Sequence, residues 1–206
     1  MRIKHAKSLR ALLLVSGLTF AIYLWLKFLD ALEPEVDDRE DGGEVDPDLP
    51  AAQPGDVLLF NSAKGLNRLI TAFTRSTYYH VGISLGNNQV IEARPRGVVI
   101  RDLTGPDGDK RFEIIKRETF DQAVSLQALE WAKTQVGDGY DPFNVLAIIL
   151  DRCFSCCAFN ATLPDRWACG EFVATAFVHA GKNLFPGQNP AAVVPADFEQ
   201  FLPQRG

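Results

Sequence analysis

Apolar and polar residues follow two different periods along this chain, and each period dominates a different part of it. Between residues 54 and 116, short apolar or alternating runs are bounded by turn residues, which is typical of β-strands. The turn residues include Pro54-Gly55 and the polar run 105–109. This pattern predicts five strands, over residues 56–60, 80–85, 89–93, 98–103 and 112–116.

Other segments carry apolar residues at intervals of three and four, which marks one face of an α-helix. They predict helices over residues 64–75, 122–135, 143–150 and 169–180, the last ended by Gly181. Because the strands precede most of the helices, we predict an α+β fold in which a mainly antiparallel sheet packs against helices.

A longer apolar run occupies residues 11–29, after a basic tail at residues 1–10. About nineteen residues approach the roughly twenty that cross a bilayer, and Lys27 near its end can extend to the interface. We therefore predict a transmembrane anchor with the basic tail in the cytoplasm and the rest of the chain outside the inner membrane, in the periplasm. A cleaved signal peptide and a buried core helix are the alternatives.

Residues 30–53 are acidic and rich in proline, which predicts a disordered linker with little to bury. Residues 1–48 hold six Lys/Arg and ten Asp/Glu, so that 15 (21 minus 6) and 16 (26 minus 10) remain in residues 49–206. The predicted folded domain, residues 54–203, is therefore nearly neutral. This balance, together with the lack of a phosphate-binding loop or a nucleic-acid module, argues against nucleic-acid binding. Protein partners are not indicated.

One histidine stands out as a candidate general base, because the chain contains only three. His5 lies in the basic tail, and His179 lies ten residues after Cys169 in one predicted helix, or roughly 15 Å along it. A thiol nucleophile needs a base to accept its proton. If Cys169 is catalytic, His80 is therefore its base.

The other two candidate catalytic residues follow from their positions. Cys169 opens a predicted helix, where the dipole and unpaired backbone N–H groups favour a thiolate and can bind an oxyanion. If the three residues 86–88 connect the hairpin, Gly82 opposes Glu92, and His80 lies diagonal to Glu92 on one face, roughly 7 Å away. A two-residue turn would place Glu92 on the opposite face.

The remaining cysteines form a cluster of their own, at Cys153, Cys156 and Cys157. A disulfide within the cluster is consistent with an extracytoplasmic location, and unpaired buried thiols are the alternative. A zinc site needs four ligands and would consume Cys169, so we expect neither a metal nor another cofactor.

Several motifs resemble the permuted papain-like hydrolases of the YiiX/YaeF type, which belong to the wider NlpC-like superfamily. The resemblance extends over residues 54–200 and is carried, in order, by the segments 54–59, 76–83, 90–93, 139–141, 169–173 and 194–198. In that family the histidine strand precedes the cysteine helix, which is the reverse of the papain order. The motif usually has serine after the cysteine, whereas this chain has Gly170.

The resemblance implies a circularly permuted papain-like fold, with Cys169 as nucleophile, His80 as base and Glu92 as the residue that orients the base. It implies amide substrates, either cell-wall peptides or lipid-linked acyl groups, close to the membrane. A lipid acyltransferase or deacylase, and a non-catalytic binding module, are the alternatives. Four residues are candidates for substrate contact, each with a structural alternative: Tyr79 (packing on the sheet), Tyr140 and Asp141 (loop stabilisation) and Glu171 (helix capping).

Overall fold

The computed structural model describes residues 51–61, 76–104, 112–145, 147–148 and 163–203. All of them belong to the second of the chain's two units, Val36–Gly206. The predicted basic tail, anchor, most of the acidic linker, the helix over 64–75 and the cysteine cluster lie outside the described residues. Within the described ranges, no helix is both long enough and apolar enough to span a bilayer.

A five-stranded antiparallel sheet forms the centre of the described fold, and the antiparallel sheet predicted from the alternating pattern is thereby confirmed. Its spatial order is β4-β3-β2-β1-β5. The strands are β1 (Val57–Phe60), β2 (His80–Gly86), β3 (Gln89–Arg94), β4 (Gly97–Asp102) and β5 (Phe112–Ile115). A short parallel pair, β6 (Gly139–Tyr140) and β7 (Arg166–Trp167), was not predicted, because two residues carry no periodic signal.

Two α-helices have complete bounds: α1 (Gln122–Thr134) and α2 (Cys169–His179). The Asp121 carboxylate caps α1 by accepting from the backbone N–H groups of Ala123 and Val124. The predicted helix over 143–150 is helical at residues 142–145 and 147–148. Three 3₁₀ helices were not predicted, over Arg117–Phe120, Pro190–Ala192 and Pro195–Phe201.

The two faces of the sheet carry different apolar clusters. One face packs against α1 and α2 in a large apolar core, whose buried members include Leu59, Val81, Ile83, Leu129 and Phe172. The other face carries a smaller apolar cluster of Leu58, Phe60, Tyr79, Val90, Leu103 and Phe112. Phe60 pairs with His80, and directly paired residues project to the same face, so His80 lies on the face of the smaller cluster.

The hairpin that carries His80 and Glu92 differs from the predicted one at its turn. Gly86 pairs with Gln89, so only Asn87 and Asn88 connect the strands, both with positive φ (50° and 59°) as a type I′ turn requires. Of the two connections considered from the sequence, the two-residue turn is therefore the one observed. A register shift between Ser84 and Gly86 adds one residue to β2, and beyond it Ser84 pairs with Val90 and Ile83 with Ile91.

A two-residue turn alone was expected to place Glu92 on the face opposite His80, and the bulge cancels this effect. Continuing the Ile83–Ile91 register by one residue makes Gly82 oppose Glu92. His80 and Glu92 therefore share a face, as the longer connection would also have arranged.

The Asn87–Asn88 turn provides a test of this register. Asn88→Val should destabilise the fold by about 1–2 kcal/mol, because a β-branched residue is strained in the left-handed region. Asn88→Gly should be as stable as the wild type or more stable, since glycine is preferred at this position of a type I′ turn. Urea unfolding measures both; equal stability of the Val and Gly variants would contradict the turn described here.

Candidate active site

A buried hydrogen bond joins the predicted base to its predicted partner. His80 is the first residue of β2, and its Nε2 lies 2.9 Å from Glu92 Oε2. His80 is 7% exposed and Glu92 is fully buried. Because an ionised carboxylate only accepts hydrogen bonds, Nε2 is the donor, and Nδ1 is left for another partner.

Gly82 gives the Glu92 side chain the space it needs. A Cβ atom at residue 82 would lie 2.7 Å from Val90 Cγ2 and 3.1 Å from Glu92 Cβ, both closer than packed side chains tolerate. A residue with a side chain would displace the carboxylate that His80 contacts.

Cys169 is the second partner of the imidazole. It is the first residue of α2, a half-buried free thiol, and one of the groups that raise the pKa of His80. The N-cap residue, Ala168, has no side chain that could accept from the N–H groups of this first turn. The thiol therefore meets both an imidazole and the positive end of a helix.

The charges of the His80–Glu92 pair stabilise each other. Burial alone would lower the pKa of His80, but the Glu92 carboxylate and the hydrogen bonds to Cys169 and Glu92 raise it above 6.5 on balance. Burial would raise the pKa of Glu92, but His80 and Arg101 hold it far below its ordinary value of 4.5.

These opposite shifts define a pH range in which the pair stabilises the fold. The contribution of Glu92 is complete above pH 4.5 and is lost as the pH falls below that value. The contribution of His80 is complete below pH 6.5 and is lost as the pH rises through its raised pKa.

Two arginines that the sequence analysis missed also contact Glu92. Arg101 Nε donates to Glu92 Oε1 at 2.6 Å, and Arg101 Nη2 donates to Oε2 at 3.3 Å. Arg94 Nε lies 3.3 Å from Oε1. The sequence does contain a feature that could have identified Arg101. It follows the apolar residues of β4, and a charged residue in an apolar strand needs a partner. It pairs with Val90, two residues before Glu92 and on the same face.

Gly170, the departure from the family motif, is explained by close backbone packing. A Cβ atom at this position would overlap the Val193 carbonyl group and lie 2.9 Å from Val194 Cα. The start of α2 therefore packs directly on the backbone that follows the Pro190–Ala192 turn. A serine hydroxyl has no room here.

The carboxylate of Glu171 is hydrogen-bonded within the protein. Its Oε2 accepts from the Ala168 backbone N–H (3.3 Å) and from Asn144 Nδ2 (2.8 Å), and both Glu171 and Asn144 are buried. Asn144 Nδ2 also donates to the Ala191 carbonyl oxygen at 2.9 Å. Burial raises the pKa of Glu171. These contacts describe the capping alternative, and Asn144 is a further residue that the sequence analysis missed.

Asp141 and Tyr140, the two neighbouring candidates for substrate contact, have different surroundings. Asp141 is fully buried; its Oδ1 accepts from the N–H groups of Phe143 and Asn144, and its Oδ2 from that of Leu163, each at 3.0 Å. This carboxylate stabilises the loop. Tyr140 is partly buried close to the thiol, and burial, Cys169 and Asp141 raise its pKa. Substrate contact by Tyr140 stays a prediction.

Tyr79 packs mainly on the sheet. It is 8% exposed, belongs to the smaller apolar cluster, and its ring lies 6.0 Å from the His80 ring in a stacked arrangement. The ring covers one side of the imidazole.

Comparisons with known proteins give one sequence relative and one solved structure to report. No family model matches the chain. The chain is 30% identical over 178 residues to "Probable lipoprotein peptidase YaeF" of Escherichia coli strain K12. That match covers 72% of this chain but only 63% of the relative, so the chain spans less than two thirds of that protein's length.

The solved structure is the crystal structure of the metalloprotein YiiX from Escherichia coli O157:H7. It covers 74% of this chain and 83% of its own, with a TM-score of 0.46 and 20% identity. Among the residues described for the present chain, no group of three or more His, Cys, Asp or Glu side chains is placed to hold a metal ion.

The packing at Gly170 predicts the effect of a side chain there. Gly170→Ala and Gly170→Ser should each destabilise the fold by about 1–3 kcal/mol, although both residues are better helix formers than glycine. Thermal and urea unfolding measure this. A stable Ala variant beside an unstable Ser variant would show that the Cβ is tolerated and that only the hydroxyl is excluded.

The His80–Glu92 bond predicts a pH effect. The alkylation rate of Cys169 by iodoacetamide should rise with pH, because only the thiolate reacts. Glu92→Gln should move this rise to higher pH, because the amide no longer stabilises the imidazolium that favours the thiolate. Peptide mass spectrometry measures the rate at each pH. Glu130→Gln, the same change at an exposed helix position, is the control and should leave the profile unchanged.

Proposed function

Because the chain belongs to the YiiX/YaeF-type family, we propose that it is a cysteine hydrolase that cleaves amide bonds through Cys169, His80 and Glu92. The observation that supports this most directly is one imidazole with two partners, a thiol on one side and a buried carboxylate on the other. The proposal includes the permuted papain-like architecture, in which the histidine strand precedes the cysteine helix.

In the first half-reaction the Cys169 sulfur attacks the carbonyl carbon of the substrate. His80 accepts the thiol proton through Nδ1 and then donates it to the leaving amine as the C–N bond breaks. The products are a free amine and a thioester between the acyl group and Cys169. Glu92 keeps the imidazole oriented and stabilises its charged form, without taking the proton itself.

In the second half-reaction water attacks the thioester carbonyl, and His80 accepts a proton from the water. The C–S bond breaks, the carboxylic acid leaves, and Cys169 and His80 return to their starting states. Both tetrahedral intermediates carry an oxyanion. The backbone N–H of Cys169, in the first turn of α2 where the N-cap residue Ala168 provides no acceptor, is a suitable donor to it.

The substrate class proposed is a peptide, in agreement with the peptidase name of the relative YaeF. Residues 11–29 are proposed to anchor the domain to the inner membrane, with the hydrolase on the periplasmic side. Such a tether would restrict the enzyme to substrates at the membrane surface, including lipid-linked ones.

The nucleophile is tested by thiol labelling of the full chain. Iodoacetamide should alkylate Cys169 at least about tenfold faster in the wild type than in His80→Ala, because the base that generates the thiolate is removed. Peptide mass spectrometry quantifies each cysteine separately. His179→Ala removes an exposed histidine at the far end of α2 and should leave the rate at Cys169 unchanged.

The reaction class is tested by trapping the acyl-enzyme with two kinds of substrate. Incubation with cross-linked cell-wall peptides should add a peptidyl mass to Cys169 and release an amine, and Cys169→Ala should give neither. A fatty acyl mass obtained only from phospholipid vesicles would replace the peptidase assignment with a lipid deacylase. A Cys169 that forms no adduct with either and reacts like free cysteine would favour a binding module.

A further inference from the structure

One arginine contacts both oxygens of the carboxylate that orients His80. Arg101 donates from Nε to Glu92 Oε1 and from Nη2 to Glu92 Oε2. Its side chain is only 10% exposed although it carries a full charge. A buried guanidinium is costly unless its partners are well aligned, so this contact is a built feature of the site.

The aromatic ring of Phe60 lies close to both Arg101 and His80. The Arg101 guanidinium lies over the Phe60 ring at 5.4 Å, and that ring lies 5.5 Å from the His80 ring. Phe60 is fully buried and pairs directly with His80 across β1 and β2. One rigid ring therefore sets the positions of both the guanidinium and the imidazole.

The two arginines at Glu92 are not equivalent. Arg94 is close to Oε1 at 3.3 Å, whereas Arg101 binds both oxygens, including Oε2, which also accepts from His80 Nε2. Contacts to both oxygens fix the orientation of a carboxylate plane, whereas a contact to one oxygen leaves the plane free to turn about that oxygen.

We propose that Arg101 is a positioning residue that orients the Glu92 carboxylate so that His80 carries its proton on Nε2 and presents Nδ1 to the Cys169 thiol. This inference rests on the proposed hydrolase function only for its effect on turnover. Its effect on the imidazole tautomer follows from the geometry alone. Arg101 acts through Glu92 and takes no part in bond making.

The test compares Arg101→Lys with Arg94→Lys in the full chain. Lysine keeps the charge but loses the fork, so Arg101→Lys should lower kcat for p-nitrophenyl acetate about tenfold or more, with KM changed by less than about twofold. Arg94→Lys should lower kcat by less than about threefold. Equal losses in the two variants, or wild-type kcat in Arg101→Lys, would overturn the proposal, because charge alone would then suffice.

A second readout needs no turnover, and its first part needs only the wild-type protein. In wild-type protein, ¹⁵N NMR of the neutral His80 ring should show the proton on Nε2, and Arg101→Lys should shift part of the population to Nδ1. A neutral wild-type ring protonated on Nδ1 overturns the proposal even if every arginine variant fails to fold. If the wild type shows the Nε2 tautomer but forms no acyl adduct with either substrate in the trapping experiment, the hydrolase proposal fails and the positioning inference stands.

Discussion

The hydrogen bond between His80 and Glu92 is the interaction on which the rest of the candidate site depends. A fully buried carboxylate is costly unless its charge is compensated, and here the compensation comes from an imidazole and two guanidinium groups. The bond further requires a bulge in β2 that sets the register and a glycine at residue 82 that leaves space for Glu92. Because these conditions come from several strands, the orientation of the imidazole is a property of the whole sheet.

The thiol is positioned by a separate set of contacts. Gly170 allows the start of α2 to approach the backbone at Val193, and Glu171 ties the residue before Cys169 to Asn144. Asn144 also donates to the Ala191 carbonyl. The segment at residues 139–145 and the 3₁₀ helix at residues 190–192 therefore both help to position the start of α2. The sheet positions the base and the helix entry positions the nucleophile. Such rigid support on both sides is what a nucleophile–base pair needs.

Local patterns were sufficient for the elements that carry the site. The alternation in β2 and β3 and the helical period after Cys169 place those elements within one or two residues of their observed bounds. The length of the turn stayed open, because Gly86, Asn87 and Asn88 all tolerate positive φ and the sequence does not show which of them connect the strands. Arg101 and Asn144 were missed because their partners lie on other elements, whereas Arg94 was missed although it lies on the same strand as Glu92.

The sequence by itself determined the order of strands and helices and the three candidate residues Cys169, His80 and Glu92, because periodicity, histidine count and helix-start position are local properties. Only the tertiary structure decided that His80 and Glu92 share a face, that Arg101 binds the same carboxylate, and that Cys169 is among the groups that raise the pKa of His80. These contacts depend on strand register and on helix docking. Both are decided by the packing of residues far apart in the chain, which no local pattern records.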